Sequence, residues 1–110
     1  MIDLEKMDRI MLDLGFSDAL SGTEFLRAAV ELYDSGKTQF TTEVYPTLGV
    51  LFLTQPASIE RNIRHSIEKA WERGSWEVQY KYFGYSVKPD KGCPTVSECI
   101  ARLARVCREN

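Results

Sequence analysis

Apolar residues recur at helical spacing near the start of the chain, and this pattern predicts two helices. The first covers roughly residues 2–14, where apolar side chains recur at spacings of two to four positions and Gly15 is a suitable C-terminal cap. Ser21 and Glu24 have the spacing of a capping box, which predicts the start of a second helix. This helix is expected to end at Ser35-Gly36.

The next segment predicts a short third helix over 41–53. Thr41 or Thr42 can cap it, and Pro46 fits a first turn better than a helix interior. The side chains expected to face the core are Leu48, Leu51 and Phe52. A strand over 50–53 is the alternative, because so short an apolar run has no readable period.

The second half of the chain predicts three further helices. A fourth helix begins at Pro56 and ends before Gly74, and the aromatic-rich stretch 75–83 is expected to form one or two helical turns. Residues 88–94 are predicted to be a loop. Thr95 and Glu98 then form a second capping box, which opens the last helix. The predicted fold is therefore all-α, with six helices.

Length and composition indicate one compact domain. The chain has 110 residues, 44% of them hydrophobic, which suits a single core spanning 1–110. Long apolar runs and a signal sequence are absent, so we expect a cytoplasmic protein that does not bind a membrane. Three cysteines without a C-x-x-C pair, and one histidine, predict reduced buried thiols, no metal and no cofactor. The same scarcity argues against an enzyme.

The predicted fourth helix divides into two chemically different faces when residues are advanced by 100° each. The face expected to be buried contains Ile59, Ile63, Ile67, Ala70 and Trp71. The opposite face contains Arg61, Arg64, His65, Glu68 and Glu72. The basic residues occupy the first turns, which are the part of a helix-turn-helix recognition helix that approaches the bases.

The polar face has the chemistry of major-groove recognition. Arg61 and Arg64 present planar pairs of donors that match O6 and N7 of guanine. Glu60 can accept a hydrogen bond from a cytosine amino group, and His65 can contact a phosphate or a base. The alternative is that the arginines form exposed ion pairs with Glu68. The net charge of −2 argues weakly against nucleic acid.

Residues 59–74 read I-E-R-N-I-R-H-S-I-E-K-A-W-E-R-G. This stretch resembles the V-E-R-A-I-R-H-A-I-E-x-A-W-x-R-G hallmark of the C-terminal effector domain of the stage-zero master regulator of sporulation in endospore-forming Firmicutes. F-G-Y at 83–85 and P-T followed by S-E at 94–98 also match that family. The resemblance covers nearly the whole chain.

The resemblance implies a DNA-binding function and a set of contact residues. Residues 45–53 would be the first helix of the helix-turn-helix and 56–73 the recognition helix. The residues that would face double-stranded DNA in the major groove are Glu60, Arg61, Arg64 and His65. The family implies a dimer on tandem sites and contact with the sigma subunit of RNA polymerase. The segment 80–91 is the expected polymerase contact.

Two departures from the family pattern alter the predicted DNA contacts. Ala57-Ser58 replaces the usual Ser-Arg, which removes a positive charge near the DNA backbone, whereas Asn62 replaces a small apolar residue and adds a base or phosphate contact. The family regulator also has a receiver domain. If 1–110 is the complete protein, phosphorylation of a receiver is not its switch.

The sequence thus leaves two functional hypotheses. The first is a transcription regulator that binds double-stranded DNA sequence-specifically through Ser58, Glu60, Arg61, Asn62, Arg64 and His65. The alternative is a non-DNA-binding interaction protein that modulates a full-length regulator or RNA polymerase. The acidic balance and the lost arginine favour the alternative, whereas the retained arginines and histidine favour DNA.

Overall fold

A computed structural model describes residues 1–84 and 92–108. Within these residues the chain forms six α-helices. They are α1 (Leu4–Leu14), α2 (Ser21–Asp34), α3 (Tyr45–Leu51), α4 (Pro56–Arg73), α5 (Trp76–Phe83) and α6 (Val96–Val106). The described part contains no strand beyond an isolated antiparallel bridge between Ile2 and Arg108. The all-α fold with six helices is therefore confirmed.

Local capping groups fix both ends of α1. Asp3 is the N-cap, and its carboxylate accepts a hydrogen bond from the backbone N–H of Lys6 at 3.1 Å. Gly15 ends the helix with a φ of 98°, a left-handed conformation that glycine adopts without steric cost. The predicted end of the first helix is confirmed.

The start of α2 lies where the sequence predicts it, but the capping box proposed there is wrong. The N-cap is Leu20, and no side chain caps the helix. Ser21 is already the first helical residue, so its hydroxyl lies one position too far along the chain to cap. Thr23 anchors this end instead, since its hydroxyl donates to the carbonyl of Ser17 at 2.7 Å.

The third helix is shorter than predicted. A π-helical turn over Phe40–Val44 precedes α3, so Thr41 and Thr42 lie inside this turn and do not cap α3. Pro46 occupies the first turn of α3, as predicted. The strand proposed for 50–53 is wrong, because this stretch is the end of α3 and the turn that follows.

One predicted core residue of α3 is not in the core. Leu48 is fully buried, but the side chain of Leu51 is 64% exposed. With only two turns, α3 covers the core with the face that contains Leu48 and Gly49, and Leu51 lies outside that face. Phe52 is partly buried and packs on Phe25, with ring centroids 4.8 Å apart.

Helix α4 packs on three other helices, α2, α3 and α6. Its closest approach to α2 is at Gly22, which is buried. A Cβ atom on Gly22 would lie 1.9 Å from the carbonyl oxygen of Asn62. The absence of a side chain at this position therefore lets the two helix backbones meet and sets the position of α4.

The last helix is capped as the sequence predicts, and side-chain hydrogen bonds tie α5 and α6 to the rest of the domain. Thr95 and Glu98 form a complete capping box at the start of α6. The Tyr82 hydroxyl donates to Asp13 of α1 at 2.9 Å, and Arg102 of α6 donates to the Tyr82 carbonyl at 2.7 Å. Most of the predicted loop at 88–94 lies outside the described residues. Among the described helices, none has the length and apolarity required to cross a bilayer.

Candidate nucleic-acid interface

Helix α4 buries its apolar face as the sequence predicts. Ile59, Ile63 and Ala70 are fully buried, and Ile67 is 1% exposed. Trp71 continues the same face at its edge, partly buried, and meets the ring of Phe83 in an edge-to-face contact with centroids 5.1 Å apart. This face holds α4 against the body and leaves the opposite face to the solvent.

The solvent face of α4 contains the basic residues. The exposed side chains on this face are Arg61, Arg64, His65, Glu68 and Glu72. Arg61 and Arg64 lie in the N-terminal half of α4, and His65 follows at its midpoint. The helix begins with Pro56 in the first turn, after an extended Gln55. The outward orientation of the predicted polar face is confirmed.

Both arginines are held by a neighbouring side chain of the same helix. Arg61 donates to the hydroxyl of Ser58 at 3.0 Å, and Arg64 pairs with the carboxylate of Glu60 at 2.6 Å. Within the described residues neither arginine pairs with Glu68, which was the alternative interpretation, and Arg64 pairs with Glu60 instead. An exposed pair of this kind contributes about 0.3–0.5 kcal/mol. A guanidinium has five N–H donors, so each arginine keeps several for an external partner.

Tyr45 lies close enough to Glu60 and Arg64 to interact with their charges, and it was not among the site residues predicted from the sequence. Its ring is partly buried at the start of α3, near the ring of Phe40. The pKa of Tyr45 is raised to about 12, chiefly by burial and also by the carboxylate of Glu60, against an opposing effect of Arg64. The phenol is therefore neutral at physiological pH. The aromatic residue before Pro46 is the sequence signal that could have indicated it.

Asn62 and Ser58 lie at the edge of the exposed face, and both are partly buried. The Asn62 amide donates to the backbone carbonyl of Ser58 at 2.7 Å. This bond uses one of the two amide N–H groups that were predicted to contact DNA. Asn62 also provides the carbonyl that meets Gly22, so its position is fixed by α2.

His65 lies at the edge of an open cleft of about 700 Å³. The cleft is also lined by Trp71, Trp76 and Cys93. The indole N–H of Trp71 is buried and has no hydrogen-bond partner within the described residues. Burial raises the pKa of the Cys93 thiol, which keeps it protonated. The part of the chain that the structure describes contains no group of three side chains suited to a metal ion.

Six helices around one core and a solvent-facing basic helix define a helix-turn-helix effector domain of a transcription regulator. The family model for the sporulation initiation factor Spo0A C terminal matches residues 7–107. The chain belongs to this family, whose members are DNA-binding regulatory domains of sporulation. The resemblance inferred from the sequence is confirmed over nearly the whole chain.

Proposed function

We propose that this domain binds double-stranded DNA sequence-specifically by inserting the N-terminal half of α4 into the major groove. The observation that supports this is the separation of α4 into a buried apolar face and an exposed face that begins with Arg61, Arg64 and His65. An α-helix fits the major groove, where each base pair presents a distinct pattern of donors and acceptors. Membership of the DNA-binding family adds independent support.

In this proposal Arg61 and Arg64 donate to guanine, and His65 contacts a phosphate or a base. Glu60 has two available roles, because its carboxylate can hold Arg64 in position or accept from cytosine. Ser58 orients Arg61 through its hydroxyl, in the place where the family pattern has an arginine. In this arrangement the base contacts of the side chains on α4 would set the sequence preference, whereas contacts to phosphate would only position the domain on the duplex.

The resemblance noted in the sequence suggests two further properties. We propose that two copies bind tandem sites and that the domain contacts the sigma subunit of RNA polymerase through the region 80–91. In the described part of this region, Tyr80 and Lys81 are exposed at the end of α5. Both are therefore accessible for such a contact.

Fluorescence anisotropy with a duplex that contains the family's recognition box tests the proposal, at two salt concentrations. We expect specific binding that weakens as salt rises. Arg61→Ala and Arg64→Ala should each lose about 1–3 kcal/mol of discrimination between the box and a scrambled duplex. Lys69→Ala is the matched control, since Lys69 is exposed on the C-terminal half of the same helix. Unchanged discrimination in both arginine variants contradicts the proposal.

The second candidate is an interaction protein that modulates a full-length regulator or RNA polymerase without binding DNA. The net charge of −2 supports it, as does the pairing of both arginines within α4. It predicts equal and weak affinity for the box and for the scrambled duplex at both salt concentrations. The anisotropy titration therefore separates the two candidates.

A further inference from the structure

A groove away from the exposed face of α4 is lined by three arginines. Arg102, Arg105 and Arg108 follow one another at three-residue spacing at the end of α6, and all three line a groove of about 720 Å³. Tyr33 of α2 and Gly84 after α5 line it from the opposite sides. Three arginine side chains thus line one open groove.

Two of the three guanidinium groups are already held in place. Arg102 donates its Nε–H to the Tyr82 carbonyl at 2.7 Å, and Arg108 donates its Nε–H to the Asp34 carboxylate at 2.9 Å. Each of these bonds uses one of five N–H donors. The side chains have therefore lost much of their freedom before any ligand arrives, while most of their donors are still available.

Among the described residues at the groove, three arginines outnumber the two carboxylates of Asp34 and Glu98, so their summed charge is positive. Asp34 pairs with Arg108 and with the N-terminal amino group at 3.7 Å, and Glu98 accepts the backbone N–H of Thr95 in the capping box. Arg105 is exposed and forms no ion pair with any residue in the described ranges. The C-terminus of a helix favours positive charge, but this explains neither the groove nor the convergence of three arginines on it.

We propose that this groove is a second anion site, separate from the exposed face of α4, that binds phosphate groups. Arginine recognises phosphate through paired N–H donors, and neighbouring guanidinium groups can share its oxygens. The phosphate has two possible sources: a free phosphorylated molecule, or the backbone of a duplex held by α4. Tyr33 stacks on Phe40 with centroids 5.6 Å apart, and Phe40 lies 6.3 Å from Tyr45 beneath the face of α4. These ring contacts connect the groove to the start of α3, which packs on α4.

Two measurements on Arg105→Ala test the site and distinguish its source. In the first, pyrophosphate is titrated into the protein without DNA and followed by backbone amide NMR, against sodium chloride at equal ionic strength. We expect shifts at Gly84 and around the three arginines, and a loss of affinity of about tenfold in the variant. In the second, the salt dependence of duplex binding is measured, and its slope should fall by about one for each lost phosphate contact.

Arg9→Ala is the matched control, since Arg9 is exposed on α1 and does not line the groove. Arg105→Lys keeps the charge but not the paired donors, so it should recover part of the affinity. A loss of pyrophosphate binding alone identifies a free phosphorylated ligand, and a reduced salt slope identifies the DNA backbone. If Arg105→Ala and Arg9→Ala agree in both measurements, the proposal is overturned. The pyrophosphate arm contains no DNA, so it stands or fails independently of DNA binding by α4.

Discussion

Replacing Gly22 by alanine should displace the exposed helix α4 without changing any residue on its solvent face. The added Cβ atom would lie 1.9 Å from the carbonyl oxygen of Asn62 and 2.3 Å from the hydroxyl of Ser66. Ordinary contact begins at 3.4 Å, so α2 and α4 must separate by about 1.5 Å. The nearest atom belongs to the backbone, and a side-chain rotation therefore cannot relieve the clash.

The cost of this displacement can be estimated from two opposing effects. Overpacking of a well-packed helix contact costs about 1–3 kcal/mol. Alanine favours a helix over glycine by at most about 1 kcal/mol, which offsets part of that cost. We expect the free energy of unfolding to fall by about 1–2 kcal/mol. DNA discrimination should also fall, because a recognition element misplaced by about 1 Å no longer matches its target geometry.

Urea unfolding and the anisotropy titration measure these two effects on the same protein. Ser21→Ala is the control, because Ser21 is the preceding residue, is exposed and does not cap the helix. Its values should stay close to those of the unchanged protein. A Gly22→Ala protein with unaltered stability and unaltered discrimination would refute the argument that this contact positions α4.

Three further predictions concern stability. In urea titrations, Ser66→Ala should leave the free energy of unfolding unchanged or raise it by up to about 1 kcal/mol, since the buried hydroxyl has no partner in the described part of the chain. A decrease of more than about 1 kcal/mol would mean that the hydroxyl forms a stabilising hydrogen bond. Leu53→Gly should raise the midpoint of urea unfolding, because Leu53 has a φ of 53° and its side chain is 94% exposed. The relief of backbone strain, about 1–2 kcal/mol, outweighs the extra conformational entropy that glycine gives the unfolded chain. A lower midpoint would contradict this. Burial raises the pKa of the Cys107 thiol from its ordinary value of 9.0 to about 11. Between these pH values the native state keeps the thiol proton, whereas the unfolded chain has lost it. Stability should therefore fall between these pH values by up to about 1.4 kcal/mol per unit, and by less in Cys107→Ala, as followed by urea unfolding at each pH.

The sequence by itself determined the features that depend on neighbours along the chain. The two faces of α4 follow from the helical period, because isoleucines spaced by four residues must share one side of a helix. Gly15 and the pair of Thr95 and Glu98 mark helix ends, since their hydrogen bonds form within one turn. The family motif is likewise a local pattern, and it identified the class of protein before the fold was known.

The tertiary structure decided the features that depend on elements far apart in sequence. Leu51 is exposed and Leu48 is buried because the position of α3 against α4, and not the apolar character of either residue, determines which side is covered. Gly22 meets Asn62 because two helices cross there, and no local pattern marks a crossing point. The choice of Glu60 as the partner of Arg64 depends on side-chain rotamers that the helical period leaves open. Local periodicity fixes which residues share a face, whereas the packing of helices fixes what that face contacts.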